Sequence, residues 1–150
     1  MYKIGVIGPN ESGCSDKLYR FGQELGARVS SSERIIICGG LGGFMEGVCR
    51  GAKQSPKTFA GQTIGILPGE DASVANSFID VPIPTGIGIA RNLVIVRSAD
   101  ILIAAGGGAG TLSEIAFAWQ TEEHGGGGNY RYQDYWHQNL SGPRRPATTI

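Results

Sequence analysis

Short, continuous apolar runs alternate with amphipathic segments along most of the chain. Most of the apolar runs end at glycine or proline, which predicts buried β-strands followed by tight turns. Strands are predicted in this way over residues 2–7, 35–38, 63–67 and 100–105. Helices are predicted from Ser15 or Asp16 onward, where Leu18, Phe21 and Leu25 share one face, and over 44–53, 87–98 and 111–123.

Strands that alternate with helices predict an α/β fold, namely a Rossmann-like, doubly wound parallel sheet with helices on both faces. The segment 70–86 is predicted to be a loop, with extended backbone over 81–84 because of its two prolines. Ligands of such sheets bind outside the carboxyl ends of the strands, where the strand order switches. The glycine clusters that follow the predicted strands are therefore expected to share one site.

The glycine-rich stretch 106–110 carries the strongest functional pattern in the chain. It joins the apolar run 101–105 to a helical pattern that includes residues 115–119. Glycines let the backbone approach a ligand closely, and the free N–H groups at a helix start favour an anion such as phosphate. The positions predicted to hold phosphate are Gly107, Gly108, Gly110 and Thr111. The cluster after the second strand predicts further ligand-binding positions at Gly39, Gly40, Gly42 and Gly43.

The common nucleotide-binding fingerprints do not match either glycine cluster. A P-loop needs lysine after its last glycine, whereas Thr111 follows Gly110. The GxGxxG spacing is also absent, because Met45 stands where the first cluster would need its last glycine. These mismatches argue against a P-loop and against an ordinary dinucleotide site.

Three charged side chains near the glycine clusters each have two interpretations. Arg91 is either a solvated helical charge or a bidentate donor at the ligand mouth, since it follows the glycine-rich stretch 86–88. Glu114 either completes a capping box that begins at Thr111 or faces the ligand as a base or a stabiliser of positive charge. Glu46 is either a solvated helix residue or a contact for a ribose hydroxyl.

Charge and composition narrow the classes of partner. Lys+Arg and Asp+Glu both number 13, so the net charge is zero and neither nucleic acid nor an anionic membrane is expected as a partner. Glycine supplies 25 of the 150 residues, concentrated at predicted turns as a nucleotide-binding α/β fold would need. Cys14, Cys38 and Cys49 are too few and too widely spaced for a disulfide framework or a metal site. Reduced thiols suit the cytoplasm, and no stretch approaches the ~18 apolar residues of a membrane span.

The composition changes near residue 121. From there to residue 150 the only Val, Ile or Leu residues are Leu140 and Ile150, and four glycines occupy 125–128. We therefore predict a Rossmann-like nucleotide-binding domain over 1–123 and a Gly-rich, irregular or disordered tail over 124–150.

The order Gly-Gly-x-Gly-Thr-x-x-Glu over 107–114, preceded by Arg91-Asn92, resembles the Lonely Guy superfamily. These Rossmann-like proteins were once described as lysine decarboxylases, and the best-known members are cytokinin riboside 5′-monophosphate phosphoribohydrolases. The stretch 39–46 also fits, and the resemblance covers residues 2–120. It implies that Arg91 and Glu114 are catalytic, that the Gly-Thr loop binds the 5′-phosphate, that no metal or cofactor is required, and that the chain forms a homo-oligomer.

Several positions depart from the enzymes of this superfamily. Gly106 stands where they usually have proline, and Asn92 stands where they usually have lysine. The stretch 86–92 is more similar to the branch that includes molybdenum cofactor carrier proteins, which hold a phosphate-bearing pterin cofactor and need not be enzymes. The superfamily also continues with another strand and helix where this chain has its Gly-rich tail.

The leading interpretation from the sequence is a nucleotide-binding protein that hydrolyses the N-glycosidic bond of nucleoside 5′-monophosphates. Arg91 would steady the phosphate or the departing base, and Glu114 would orient water or stabilise an oxocarbenium-like transition state. The products would be a free base and ribose 5-phosphate. The alternative is a non-catalytic carrier of molybdenum cofactor or another phosphate-bearing cofactor, and a third interpretation is a nucleotide-sensing module without turnover. Each predicts a small-molecule nucleotide or phosphate-bearing ligand as the partner.

Overall fold

A computed structural model of the protein describes residues 1–123, so the predicted tail over 124–150 lies outside the described residues. The strands are β1 (Tyr2–Ile7), β2 (Arg34–Cys38), β3 (Thr63–Leu67), β4 (Val81–Pro84) and β5 (Ile101–Ala104). The helices are α1 (Asp16–Val29), α2 (Phe44–Gln54), α3 (Arg91–Ser98) and α4 (Ala109–Glu123).

The strands form one parallel sheet in the order β4-β3-β2-β1-β5. The chain runs outward from β1 to the edge strand β4 and then returns to the other side of β1 as β5. This reversal places the switch in strand order between β1 and β5. A ligand crevice is therefore expected where the carboxyl ends of these two strands lie side by side.

Helices cover both faces of the sheet. On one face α1 and α2 pack over a core that includes Val6, Ile36 and Phe44. On the other face α3 and α4 pack over a second core that includes Ile37 and Ile95. The prediction of a Rossmann-like, doubly wound parallel sheet is confirmed.

The first two helices contact each other through their backbones. A Cβ atom built on Gly26 would overlap the Val48 carbonyl group, and one built on Gly51 would overlap the Gln23 carbonyl group. Larger residues at these two glycines would separate the helices.

The start of α1 is fixed by Ser15, whose Oγ accepts a hydrogen bond of 3.3 Å from the Leu18 N–H. Of the two candidate caps, the structure therefore selects this serine.

Two secondary-structure predictions were wrong. The predicted loop over 70–86 contains strand β4, which pairs with β3 from Ile64↔Val81 to Leu67↔Pro84. Its prolines are tolerated because β4 lies at the edge of the sheet. The helix predicted to begin at residue 87 begins at Arg91 instead, after a 3-10 turn over Gly88–Ala90. Among the described residues, no helix is long and apolar enough to cross a membrane.

Candidate functional site

A cavity of about 590 Å³ lies at the carboxyl ends of β1 and β5, at the switch in strand order. Three segments line most of it, namely the loop after β1, the residues on either side of the start of α3, and the first turns of α4. They contribute Gly8, Pro9, Asn10, Ser12, Gly13, Ile89, Arg91, Asn92, Gly107, Gly108, Ala109, Gly110, Thr111 and Glu114. Its volume lies within the ~300–1,000 Å³ that small-molecule sites usually have.

The start of α4 presents free backbone donors to this cavity. The helix makes its first intrahelical bond from the Leu112 N–H to the Gly108 carbonyl, at 3.0 Å. The N–H groups of residues 109–111 therefore precede the intrahelical ladder, and they lie at the positive end of the helix dipole. A Cβ built on Gly108 would meet no atom within 4 Å, so this backbone is open to a ligand. These features are those of an anion site.

Gly107 allows the turn before α4 to close. Its φ of 114° is one that only glycine adopts readily, and a Cβ there would collide with the Thr111 side chain. The Thr111 side chain thus packs back onto Gly107 and is buried, with 4% of its surface exposed. Gly107, Gly108, Gly110 and Thr111 all line the cavity, as the sequence predicted for phosphate-binding positions. Phosphate binding itself stays a prediction.

The capping box predicted to begin at Thr111 was wrong, because the helix begins two residues earlier. Helix α4 begins at Ala109, so Thr111 lies inside the helix and does not occupy the N-cap position. The glycine-rich stretch causes this shift, because Gly108 can end the turn and cap the helix without a side chain. Glu114 consequently lies beyond the first helical turn, and burial is the main influence on its carboxyl group.

Arg91 is the first residue of α3, and its guanidinium packs against Gly39 at the end of β2. A Cβ on Gly39 would overlap the guanidinium, so only glycine leaves room for it in this position. The Nε and Nη1 atoms of Arg91 are buried and find no hydrogen-bond partner within residues 1–123. Burial lowers the Arg91 pKa, and the Glu114 charge acts in the opposite direction. Arg91 thus lines the cavity that the start of α4 also lines, and it holds two buried donors without a partner in the described part of the chain.

Glu114 faces the same cavity from α4 with only 6% of its surface exposed. Burial raises its pKa to about 7, although the Arg91 charge acts to lower it. The Glu114 carboxyl therefore titrates near neutral pH rather than in the acid range of an ordinary glutamate. The structure brings Arg91 and Glu114 to one cavity as the sequence suggested, and their catalytic roles stay predictions.

Asn92 ties the two helices of the site together. Its Nδ2 donates to the Ser113 hydroxyl at 3.0 Å and to the Gly110 carbonyl at 3.4 Å. The Ser113 hydroxyl in turn donates to the same carbonyl at 2.6 Å. This network fixes the start of α3, and thus Arg91, relative to the first turn of α4. The only signal for it in the sequence is the presence of Asn92 where the resembled enzymes usually have lysine.

None of the four glycines predicted as ligand-binding in the first cluster is among the residues that line the cavity. Gly39 packs against Arg91, and a Cβ on Gly40 would lie 3.0 Å from Gly65 on β3. Gly42 lies beside Glu11 and Glu46, while Gly43 is pressed against the Asn10 backbone where α2 begins. These positions shape the walls of the site, and direct ligand binding by them stays a prediction.

Glu46 was a candidate for a ribose contact, but its carboxylate accepts a hydrogen bond of 3.1 Å from the Tyr19 hydroxyl. It is not among the lining residues of the cavity. Within residues 1–123 no cluster of His, Cys, Asp and Glu is arranged to hold a metal ion.

Two parts of the site were not predicted from the sequence. The loop after β1 contributes Asn10 and Ser12, and an apolar wall is made by Leu41, Met45, Pro68 and Ile89. The loop could have been found by combining the short turn after the first strand with the switch-point rule, but only once the strand order was known. The apolar wall comes from three separate segments and has no local signal.

Comparison with known proteins places the chain in a family. The model of the SLOG cluster4 family matches residues 1–128. The chain belongs to this family. A curated but uncharacterized protein from Archaeoglobus fulgidus is 42% identical to this SLOG cluster4 protein over 118 residues, which cover 79% of this chain and 74% of the relative. The resemblance to the Lonely Guy-like superfamily, near its molybdenum cofactor carrier branch, is confirmed.

The similar proteins with solved structures include two that are described as binding or carrying molybdenum cofactor. The molybdenum cofactor binding protein of Rippkaea orientalis is 36% identical, with a TM-score of 0.73, over 81% of this chain and 72% of that one. The molybdenum cofactor carrier protein of Chlamydomonas reinhardtii is 32% identical, with a TM-score of 0.71, over 81% and 73% of the two chains. DNA processing protein A of Helicobacter pylori, at 16% identity and a TM-score of 0.59, shares the fold alone.

Proposed function

We propose that this SLOG cluster4 protein is a non-catalytic carrier of molybdenum cofactor or of another phosphate-bearing cofactor. One observation carries the proposal: the start of α4, with its free N–H groups, and Arg91, a cation with two unpartnered nitrogens within residues 1–123, line one cavity. Similar proteins described as binding or carrying molybdenum cofactor, at 32% and 36% identity, support the choice of cargo.

The phosphate of the cargo would lie against the start of α4. The backbone N–H groups of residues 109–111 would donate to its oxygens, and the helix dipole would favour its charge. Arg91, at the start of α3, would supply charge-assisted hydrogen bonds to the same phosphate. Glu114 would be protonated in this complex, because an ionised carboxylate in the same cavity would repel the phosphate.

The remainder of the cavity suits a ring system. Leu41, Met45, Pro68 and Ile89 are the larger apolar residues that line the same cavity as the start of α4. Apolar side chains of this kind bury a flat ring, while the few polar groups fix its orientation. The loop after β1 adds the polar side chains of Asn10 and Ser12, which can bond to ring heteroatoms.

A thermal-shift assay under anaerobic conditions tests the carrier proposal directly. We expect molybdenum cofactor to raise the melting temperature, and AMP at the same concentration to raise it less. Arg91→Ala should abolish the shift with either compound, whereas Arg97→Ala, an exposed arginine on the same helix, should keep it. Stabilisation by AMP but not by the cofactor would overturn the proposal.

A second candidate is the hydrolysis of nucleoside 5′-monophosphates, and the raised pKa of Glu114 favours it. A carboxyl group with a pKa of about 7 beside Arg91 is suited to general acid or base catalysis at neutral pH. Glu114 would orient water or stabilise an oxocarbenium-like transition state, while Arg91 would steady the phosphate or the departing base. Incubation with AMP, followed by chromatography for free adenine, tests this. Release of adenine that stops in Glu114→Gln supports the enzyme, and binding of AMP without release indicates a sensing module.

We further propose that the protein forms a homo-oligomer through the outer face of α3 and α4. Both helices carry exposed apolar side chains, namely Leu93 and Val94 on α3 and Leu112 and Trp119 on α4. Helix α4 also packs Ala118 into the core on its inner side, and a helix with apolar side chains on both sides is typical of a buried position. Light scattering should give a mass above that of a monomer, and Trp119→Glu should lower it. A monomeric parent protein would overturn this.

We also propose a cytoplasmic location. The three cysteines in the described part of the chain are free, and free thiols persist in reducing compartments. Fractionation of cells that produce the tagged protein tests the proposal.

A further inference from the structure

Two buried thiols lie next to each other behind the ligand cavity. Cys38 ends β2 and Cys49 lies within α2, and their Sγ atoms are 3.8 Å apart. Both side chains are fully buried, at 0% exposure. A disulfide needs the two sulfurs at about 2.05 Å. The pair is therefore less than 2 Å from bonding distance and is held in place by two different elements.

The surroundings of Cys38 favour its thiolate. Its Sγ accepts a hydrogen bond of 3.4 Å from the Gly40 N–H. The Cys38 pKa is lowered, first by the hydrogen bond from Cys49 and then, against the effect of burial, by the Gly40 N–H and the Arg91 charge. Thiolate character makes a cysteine reactive toward oxidants. The Gly40 N–H contacts only Cys38 of the two thiols, so Cys38 is the partner favoured as the nucleophile.

The cysteine pair is coupled to the ligand site through one residue. Gly39 follows Cys38 directly, and the Arg91 guanidinium packs against it so closely that no Cβ would fit between them. On its other side, Arg91 lines the cavity. Closely packed interiors transmit small displacements. A movement of Cys38 toward Cys49 would therefore shift Gly39 and change the position of the guanidinium.

We propose that Cys38 and Cys49 form a reversible disulfide that changes the position of Arg91 in the ligand cavity. The proposal deepens the carrier function, since it makes cargo binding sensitive to oxidation, but disulfide formation itself does not depend on that function. The oxidant is a hydroperoxide, and because both thiols are fully buried it reaches Cys38 only when the surrounding side chains move.

The reaction takes two steps and consumes one hydrogen peroxide. The Cys38 thiolate attacks one peroxide oxygen, the O–O bond breaks, and the departing hydroxide takes a proton to become water. The resulting sulfenic acid is then attacked by the sulfur of Cys49, a new S–S bond forms, and the S–O bond breaks. The leaving hydroxide takes the thiol proton of Cys49 as a second water. Two thiols are oxidised by two electrons in total, and a dithiol reverses the process.

The test uses a Cys14→Ser protein, which lacks the partly exposed third thiol. Hydrogen peroxide should lower its intact mass by two hydrogen atoms, and peptide mapping should join Cys38 to Cys49. Dithiothreitol should restore the original mass. The matched control Cys14→Ser/Cys49→Ala should instead form sulfenic acid or remain unchanged. A protein that stays folded by circular dichroism yet shows no Cys38–Cys49 peptide overturns the proposal.

The coupling to Arg91 is measured without any cargo. Phenylglyoxal modifies accessible arginines, and mass spectrometry of the peptide with Arg91 gives its rate of modification. We expect disulfide formation to change this rate about tenfold, within the range of ordinary allosteric coupling, while the rate at the exposed Arg97 stays the same. Equal rates at Arg91 in the two redox forms would overturn the coupling. Failure of the reduced protein to bind inorganic phosphate would instead overturn the carrier function and leave both redox results standing.

Discussion

Replacing Glu114 with Gln should remove a pH-dependent loss of stability. Burial raises the pKa of this carboxyl to about 7 in the folded protein, from 4.5 for an ordinary glutamate. Between these two values the folded state holds a proton that the unfolded chain has released, so stability falls as the pH rises. The loss begins near pH 4.5, ends near pH 7 and amounts to about 3 kcal/mol, at ~1.4 kcal/mol for each unit of pKa shift. Glutamine has nearly the same shape as the neutral acid and cannot ionise.

The assay is urea unfolding of the parent protein and of Glu114→Gln, each at pH 5 and pH 8. Other titrating groups affect both proteins equally, so the change in their stability difference reports Glu114 alone. We expect the Gln variant to gain about 2.5 kcal/mol relative to the parent between pH 5 and pH 8. Inorganic phosphate binding should also weaken as the pH rises through 7 in the parent more than in the variant. A stability difference that is the same at both pH values would refute the buried, near-neutral carboxyl on which this reasoning depends.

Three further predictions concern other contacts. Gly39→Ala should displace the Arg91 guanidinium and weaken phosphate binding about tenfold, as measured by calorimetry. The control Gly69→Ala, whose Cβ would meet no atom within 4 Å, should leave the phosphate affinity unchanged. Equal phosphate affinities of the two variants would contradict the contact between Gly39 and Arg91. Gly26→Ala should lower the free energy of unfolding in urea by about 1–3 kcal/mol, because the added Cβ forces α1 away from α2. An unchanged urea midpoint would show that the helices can separate freely. Asp80→Asn should lower the free energy of unfolding by about 2 kcal/mol. Asp80 forms an ion pair with Lys53 and also accepts hydrogen bonds from the Thr63 N–H and hydroxyl. A loss below 0.5 kcal/mol, the usual size of a surface effect, would contradict a structural role for the pair.

Much of the fold could be predicted because its strands are short apolar runs that glycine or proline ends. Ile36, Ile37 and Cys38 are buried on both faces of the sheet, so their run is continuous and easily recognised. β4 escaped prediction because Pro82 and Pro84 remove two backbone donors, which only an edge strand can lose. Whether a strand lies at an edge depends on the order of the sheet, and local sequence does not contain that order.

The parts of the site that one local segment supplies could be predicted from the sequence, whereas the parts built by several separate segments could not. The glycine-rich stretch 107–111 is one local segment, and its residues line the cavity, while phosphate binding there stays a prediction. Gly39 and Gly40 look like a second cradle in the sequence, yet their lack of side chains leaves room for Arg91 and β3. The local pattern suggested separately that Arg91 and Glu114 each lie near the ligand, whereas their joint catalytic role came from the family resemblance.

Calorimetric titration of molybdenum cofactor into the parent protein, Arg91→Ala and Arg97→Ala tests the central claim most directly. We expect saturable binding to the parent protein, affinity about thirtyfold or more weaker in Arg91→Ala because a buried charge pair to phosphate is removed, and unchanged affinity in Arg97→Ala. Equal affinity of the parent and of Arg91→Ala for the cofactor would contradict the claim that Arg91 and the start of α4 together hold its phosphate.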